Sequence, residues 1–335
     1  MTDLYKSCRL CPRNCGVDRL SGETGFCGET SALRISSAVI HRGEEPPITG
    51  KGGSGTIFVS GCNLGCSFCQ NYQISQSGKN SGKIVIPEEF ARICAALQEK
   101  GAENINIVTG SHAIPSLIDG LKAARKTGVP PTQFPAVQIP VLWNCSAYET
   151  PEALGLLREY VDVYLPDLKT LDSEISGRFF NAPDYPETAA NAIKKMIENI
   201  KSREQKTENN EQRLTERDQI RKNKIIIRHL VLPGYLDSTQ DVLRWYKENA
   251  EDHALLSLMT QYTPIPNRNK IMPKRHLSPE EYETVLYWLK ELDIEEGFCQ
   301  ELVTGSDWLP DFTRSNPFPS ELSVPVWSFI STSRI

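Results

Sequence analysis

Six apolar stretches of the chain alternate with segments of helical periodicity. The apolar stretches are residues 55–61, 104–110, 139–145, 161–169, 224–234 and 254–264. Between them, apolar side chains recur at helical spacing; Phe90, Ile93 and Leu97, for example, share one face of a helix that begins near Pro87. Continuous apolar strands separated by helices predict an α/β fold with a parallel sheet covered by helices. Both a barrel and a doubly wound sheet produce this pattern, so it leaves the choice open.

Local signals predict the ends of two further helices. Gly128 closes the helix that begins near Ser116, because glycine readily adopts the left-handed backbone of a helix end. Ser278 followed by Glu281 has the spacing of a capping box, and it predicts a helix that runs to about Asp293.

Polar residues cluster where the predicted strands end. The candidates for ligand binding at these positions are Thr109, Gly110, Ser111, Asn144, Ser146, Asp167, Lys169 and Arg228. Ligands of parallel α/β folds bind at the carboxyl ends of the strands. We therefore expect these side chains on one edge of the sheet. For each of them, an ordinary polar strand end or an ion pair such as Asp167 with Lys169 is the alternative explanation.

Residues 201–224 form a highly charged segment whose only apolar side chains are Leu214 and Ile220. Such a segment cannot bury enough apolar surface to fold alone. We expect a solvated, partly disordered extension of the preceding helix, and a partner-binding arm is the alternative.

The composition excludes several classes of protein. A hydrophobic fraction of 39% is enough for a core, so global disorder is excluded. The net charge of −5 argues against a nucleic-acid partner, which attracts basic surfaces. No apolar run approaches the ~20 residues that span a bilayer. The first residues are polar and contain cysteine, unlike a signal peptide, so we expect a cytoplasmic protein without a membrane partner.

Seven of the ten cysteines lie before residue 70, in two tight groups. A reducing compartment disfavours structural disulfides, so clustered thiols there indicate metal ligands. The second group is Cys62, Cys66 and Cys69, directly after the first apolar strand. Three cysteines on one loop can bind three irons of a 4Fe-4S cluster and leave the fourth iron to chelate a small molecule through amino and carboxylate groups. Zinc with a fourth ligand from elsewhere is the alternative.

The first group is Cys8, Cys11, Cys15 and Cys27, in a segment with almost no apolar content. Four cysteines so close together fit either an auxiliary iron–sulfur cluster or a tetrahedral zinc site. The sequence does not discriminate between the two.

The phrase CNLGCSFC at 62–69 resembles the CxxxCxxC signature of the radical S-adenosylmethionine (SAM) superfamily, including an aromatic residue, Phe68, before the last cysteine. The wider sequence around it is similar to the pyruvate formate-lyase activating enzyme-like branch. The resemblance implies a partial (β/α)6 barrel at 51–295, interrupted by the charged insert at 201–224. A cysteine-rich segment at 1–50 precedes it, and a C-terminal extension at 296–335 follows it.

That resemblance also implies a reaction. A donor such as flavodoxin or ferredoxin reduces the 4Fe-4S cluster, and SAM is cleaved to methionine and a 5′-deoxyadenosyl radical. The radical then abstracts hydrogen from a protein partner, as in glycyl-radical activating enzymes. Radical modification of a small molecule or RNA, and a non-catalytic iron–sulfur or zinc protein, are the competing functions.

The family's cofactor contacts transfer to only some positions. Phe68 would pack near the adenine. Relatives often end the second strand in GGEP, whose backbone holds the methionine amino group, whereas this chain has TGSHAIP and so places Thr109, Gly110 and Ser111 there. Polar residues at the next strand ends would contact the ribose and the carboxylate. They are Asn144, Ser146, Asp167 and Lys169, with Arg228 as a weaker candidate. No catalytic residue is assigned.

Overall fold

The computed structural model describes residues 2–76, 81–126, 135–208, 224–265, 271–303, 305–306 and 308–330. The strands are β1 (Arg34–His41), β2 (Ser54–Val59), β3 (Lys83–Ile84), β4 (Ile105–Val108), β5 (Val141–Cys145), β6 (Val163–Pro166), β7 (Ile226–Leu230), β8 (Leu255–Met259), β9 (Gly297–Cys299) and β10 (Ser323–Ser328). The helices are α1 (Pro46–Thr49), α2 (Tyr72–Ser75), α3 (Pro87–Glu99), α4 (Ile114–Ala124), α5 (Pro151–Leu157), α6 (Ser173–Phe180), α7 (Tyr185–Glu208), α8 (Leu236–Asn249) and α9 (Pro279–Glu291).

The parallel strands follow one another in chain order. β2, β4, β5 and β6 pair side by side, and β7, β8 and β9 form a second parallel group. Isolated parallel bridges, Tyr164 with Ile225 and Asp167 with Arg228, join β6 to β7. A doubly wound sheet would reverse its strand order. The unreversed order is that of a partial barrel, and it confirms the α/β fold with its six predicted strands.

Helices cover the outer face of the barrel. α3 and α4 pack closely because Gly120 of α4 has no side chain; a Cβ there would lie 2.6 Å from Cδ1 of Phe90. Phe90 is fully buried, as are the apolar residues of β4. The packing explains why the apolar periodicity of these segments predicted their positions.

Helix ends agree with the local signals wherever the structure describes them. The Ser278 hydroxyl accepts a hydrogen bond from the Glu281 amide at 3.2 Å, and the Glu281 carboxylate accepts one from the Ser278 amide at 2.9 Å. The capping box is thus confirmed, and α9 ends two residues before Asp293. Helix α4 ends at Ala124, and Gly128 lies outside the described residues.

Two antiparallel strands flank the barrel on the side of β2. β1 pairs with β2, and β10 pairs with β1 on its other edge. β10 belongs to the C-terminal extension, for which the sequence predicted no strand. Helix α7 continues to Glu208, which confirms the helical extension into the charged segment that far, and residues 209–223 lie outside the described residues.

No helix in the described ranges is both long enough and apolar enough to cross a bilayer.

Candidate active site

A cavity of about 970 Å³ opens at the carboxyl ends of the parallel strands. Cys62, Cys66 and Cys69 all line it, on the loop that follows β2. The predicted residues Phe68, Thr109, Asn144, Ser146, Asp167, Lys169 and Arg228 line the same cavity. The structure therefore brings together residues from five separate parts of the chain.

The backbone of the cysteine loop is bent tightly toward the sulfur atoms. Gly61 and Gly65 have φ angles of 81° and 71°, in the left-handed region that favours glycine. The Leu64 amide donates a hydrogen bond to Sγ of Cys62 at 3.3 Å, and Sγ of Cys69 lies 3.3 Å from Oγ of Ser75. Such donors stabilise negative charge on sulfur.

Burial favours the neutral thiols of Cys62 and Cys66. It raises the pKa of Cys62 and of Cys66, and a neighbouring thiolate, such as that of Cys69, raises both further. A cationic metal centre reverses this preference, because coordination deprotonates the thiol. In a 4Fe-4S cluster each thiolate binds a different iron, and the three thiols of this loop would leave one iron without a protein ligand.

A charged pair stands beside Cys66. Nζ of Lys169 donates to Oδ2 of Asp167 at 2.6 Å. The Tyr185 hydroxyl donates to the Asp167 carbonyl at 2.7 Å and accepts from the Lys169 amide at 3.0 Å, which fixes the turn between them. Burial opposes the charge on Lys169, but Asp167 and then Cys66 raise its pKa, so it stays protonated. This is the ion pair that the sequence suggested, and it faces the cavity.

Arg228 is buried between two carboxylates, an arrangement that the sequence did not predict. Its Nε donates to Oε1 of Glu45 at 2.8 Å, and its Nη2 donates to Oε2 of Glu44 at 2.6 Å and to Oε2 of Glu45. Asn106 donates to Glu44 at 3.1 Å. Both glutamates line the cavity wall and are nearly buried, so they are not the solvated charges of an exposed turn.

Gly110 and Ser111 do not line the cavity. A Cβ on Gly110 would meet the ring of Trp143 at 2.5 Å, so the residue serves packing. Ser111 is buried and hydrogen-bonds to Glu149. Thr109, the third residue of that strand end, does line the cavity, with a φ angle of 62°.

Glu149 organises a buried network that sequence reasoning missed. It accepts hydrogen bonds from Nε1 of Trp143 at 2.7 Å and from Sγ of Cys145 at 3.1 Å. Burial raises the pKa of Glu149 and of Cys145, and Glu149 raises that of Cys145 further. Cys145 lines the cavity, so this network forms part of its floor. The only sequence signal was a carboxylate four residues after a cysteine.

The four N-terminal cysteines form a separate group. Cys8, Cys11, Cys15 and Cys27 line one narrow cavity, together with Arg19 and His112. His112 connects the two regions, because its Nε2 lies 2.8 Å from the carbonyl oxygen of Ser60, two residues before Cys62.

The chain is similar to one protein family and to one curated relative. The family model described as the Radical SAM superfamily matches residues 56–245. An uncharacterized protein of Methanocaldococcus jannaschii is 31% identical over 309 residues, which cover 90% of this chain and 78% of that protein.

Solved structures of low sequence identity are also similar. SuiB of Streptococcus suis bound to S-adenosylmethionine is 14% identical with a TM-score of 0.46, and the match covers 71% of this chain and 48% of SuiB. A radical SAM methyltransferase from Sphaerobacter thermophilus is 12% identical with a TM-score of 0.46, and the match covers 73% of this chain and 66% of that one. The chain thus spans about half the length of SuiB.

Proposed function

The chain belongs to the radical SAM superfamily, and we propose that Cys62, Cys66 and Cys69 hold its 4Fe-4S cluster while the strand-end cavity holds SAM. One observation carries this proposal: the three thiols line the same cavity as the polar groups at the carboxyl ends of the strands. When bound, cluster and SAM supply a one-electron reductive cleavage that yields methionine and a 5′-deoxyadenosyl radical.

The residues of the cavity would bind and orient SAM. Lys169 carries a positive charge at the wall and suits the methionine carboxylate, while Asp167 accepts hydrogen bonds from hydroxyl groups such as those of the ribose. Asn144 and Ser146 offer further polar groups at the same edge. Phe68, packed edge-on against Phe180, presents an apolar surface for the adenine.

Arg228 is less suited than Lys169 to bind the carboxylate of SAM. Its Nε and Nη2 are already engaged by Glu45 and Glu44, so a contact with the cofactor would use Nη1. We propose that Arg228, Glu44 and Glu45 chiefly fix the shape and charge of the cavity wall that they form.

We propose a protein chain as the substrate, as in the glycyl-radical activating enzymes. The cavity volume of about 970 Å³ lies at the upper end of the range for small-ligand sites, so SAM would leave room for a group presented by a partner. A hydrogen atom would pass from that group to the 5′-deoxyadenosyl radical, which gives 5′-deoxyadenosine and leaves the radical on the partner. Flavodoxin or ferredoxin would supply the electron for the cluster.

The first experiment measures SAM cleavage. Anaerobically purified protein, dithionite and SAM should yield 5′-deoxyadenosine, and Cys62→Ala, Cys66→Ala and Cys69→Ala should each abolish it. Cys94→Ala is the matched control, because Cys94 is buried within α3 and does not line the cavity. Absence of 5′-deoxyadenosine from cluster-loaded protein would favour a non-catalytic iron–sulfur protein.

The second experiment tests the substrate. Anaerobic co-expression with a candidate glycyl-radical enzyme should produce the glycyl doublet in electron paramagnetic resonance, and the Cys66→Ala variant should not. If SAM is cleaved but every candidate stays without a radical, the substrate is a small molecule or RNA, and metabolite analysis of a deletion strain identifies the class.

A further inference from the structure

Strand β9 leaves one edge of the parallel barrel without a neighbour. It pairs with β8 on one side, and the described residues contain no strand on its other side. At the opposite end of the barrel, by contrast, β1 pairs with β2. We infer that the free edge of β9 binds an extended, basic segment of the partner protein as an added strand. This inference rests on the proposed function, because it takes a protein chain as the substrate.

The main-chain groups of Cys299 face that free edge. The Gln300 amide donates to the Leu258 carbonyl at 3.0 Å, so the peptide groups of Gln300 face β8. Successive residues of a strand direct these groups to opposite edges, so the amide and the carbonyl of Cys299 point away from β8. Strand β10, another outer strand, contains Pro325, which has no amide hydrogen to donate. Strand β9 keeps its donor, and Cys299 is exposed to solvent.

The free edge adjoins the cavity of the cysteine loop, since residues 297–301 all line that cavity. Phe298 packs against an apolar cluster formed by β5, β6 and β7 on the inner face of the barrel. Cys299 lies on the opposite face, where the Tyr282 hydroxyl of α9 hydrogen-bonds to its thiol. An added strand follows the same alternation. Every second side chain of the partner segment would therefore point into the barrel, where its hydrogen atom is abstracted.

Helix α9 offers apolar contacts on the outer side of the same edge. Val285 alone among the residues of α9 is buried. Leu286 lies one helical turn after Tyr282, so the two side chains share a face, and Leu286 is exposed. The outward side chains of an added strand would cover this face, which gives the segment apolar contacts besides its main-chain hydrogen bonds.

Carboxylates flank β9 at both ends. Residues 291–301 contain five acidic side chains and no lysine or arginine. Glu295 and Glu296 precede the strand, Glu301 follows it, and all three are exposed. Complementary charge selects the partner and speeds its association. The edge is therefore suited to a segment rich in lysine or arginine.

A labelled peptide tests the charge of the occupant. The probe is a fluorescein-labelled peptide of alternating lysine and valine, and its control has glutamate in place of each lysine. Fluorescence anisotropy with the unmodified, cluster-loaded protein should show binding of the lysine peptide that is at least about tenfold tighter. A dissociation constant above about 1 mM for the lysine peptide, or equal affinity for the two peptides, would overturn the inference.

Matched variants locate the charge effect on β9. One variant combines Glu295→Gln, Glu296→Gln and Glu301→Gln, and it should bind the lysine peptide about tenfold more weakly. The control variant combines substitutions of exposed carboxylates on α3, α6 and α7, which are Glu88→Gln, Glu174→Gln and Glu187→Gln. Equal weakening in the two variants would mean that the peptide binds the acidic surface at large, and the inference would be wrong.

The main-chain contacts have their own test. Cys299→Pro removes the amide at the free edge and leaves the hydrogen bonds to β8 in place, so the lysine peptide should bind about tenfold more weakly. Cys299→Ala is the matched control, because it loses the same thiol but keeps the amide. In the unmodified protein, the peptide should also slow hydrogen exchange of residues 297–301. Equal affinity of the two variants would refute strand addition, and if Cys299→Pro does not fold, unchanged hydrogen exchange would refute it.

The outcomes are separable from those of the SAM-cleavage experiment. Peptide binding needs neither dithionite nor SAM, so it can fail while 5′-deoxyadenosine still forms. That result would refute strand addition and leave the role of the cysteine loop intact. Peptide binding without any 5′-deoxyadenosine would refute the proposed reaction and keep β9 as a protein-binding edge.

Discussion

Replacing Arg228 by methionine should lower the free energy of unfolding far more than replacing an ordinary surface arginine. The side chains of Arg228, Glu44 and Glu45 are only 7%, 11% and 7% exposed. Methionine keeps much of the volume but leaves two carboxylates without their cation. Breaking a buried ion pair by truncating one partner costs about 3–5 kcal/mol, because the remaining charge has lost its compensation.

The loss of stability in Arg228→Met should depend on pH in a characteristic way. Burial alone would raise the pKa of Glu45, and Arg228 lowers it instead. In the unmodified protein, Glu45 therefore contributes stability above its unfolded pKa of about 4.3, and that contribution is lost only as the pH falls below it. In Arg228→Met the pKa of Glu45 rises, so the folded variant takes up a proton. The difference in unfolding free energy between Arg228→Met and the unmodified protein should therefore shrink as the pH falls from about 7 to about 5.

Urea unfolding under anaerobic conditions, at matched metal content, measures the difference. The control is Arg244→Met, since Arg244 is half exposed and its contact with Asp241 is 3.8 Å; surface pairs of this kind contribute about 0–1 kcal/mol. The double variant with Glu45→Gln should recover part of the loss. If Arg228→Met and Arg244→Met unfold within about 1 kcal/mol of each other at pH 7, the buried network does not stabilise the fold as argued.

Four further substitutions have predictable outcomes. Burial lowers the pKa of His229 to about 4, so the protein should lose about 3 kcal/mol of stability as the pH falls from about 6.5 to about 4; urea midpoints of His229→Gln should fall less over that interval, and parallel curves would contradict the assignment. Gly155→Ala, at a helical site with open space around the added carbon, should raise the free energy of unfolding by about 0.5–1 kcal/mol. Gly120→Ala, which pushes a carbon into Phe90, should lower it by about 1–3 kcal/mol, and equal thermal shifts for the two glycines would refute this packing argument. Lys169→Met should raise the KM for SAM in 5′-deoxyadenosine formation about tenfold by removing a charged contact, and an unchanged KM would place SAM elsewhere.

The sequence predicted six parallel strands because each of them carries a local signal, whereas the choice of a barrel came from the family resemblance. Residues 105–108 are buried on both faces of the sheet, and burial on both faces makes a continuous apolar run that needs no partner to be recognised. The loop of Cys62, Cys66 and Cys69 was predictable for the same reason, since its chemistry lies within eight residues.

Features that depend on distant pairing were not predictable. Glu45 and Arg228 are 183 positions apart, and no local signal shows that the two residues pair with each other. Buried and exposed residues do not alternate regularly along strand β10, so its sequence carries no clear strand pattern. The strand adds to the sheet because β1 offers an open edge. Gly110 faces Trp143 rather than the cavity because the chain turns at Thr109. The positive φ angle of Thr109 could not be predicted from the intrinsic preferences of threonine.

The pairing of β10 with β1 has a consequence for biosynthesis. The ribosome synthesises β1 early and β10 only after all the parallel strands. The two strands nevertheless pair in the folded protein, with Ser37 opposite Ser328. Strand β3 pairs only with Arg34 and Ile35. Until β10 is made, the rest of that edge of β1 stays unpaired, and nascent chains aggregate on such edges. Phe318, just before β10, packs on Phe58 of β2 and lines the cavity. The cavity of the nascent protein therefore lacks the wall that Phe318 provides until long after its cysteine loop has been made.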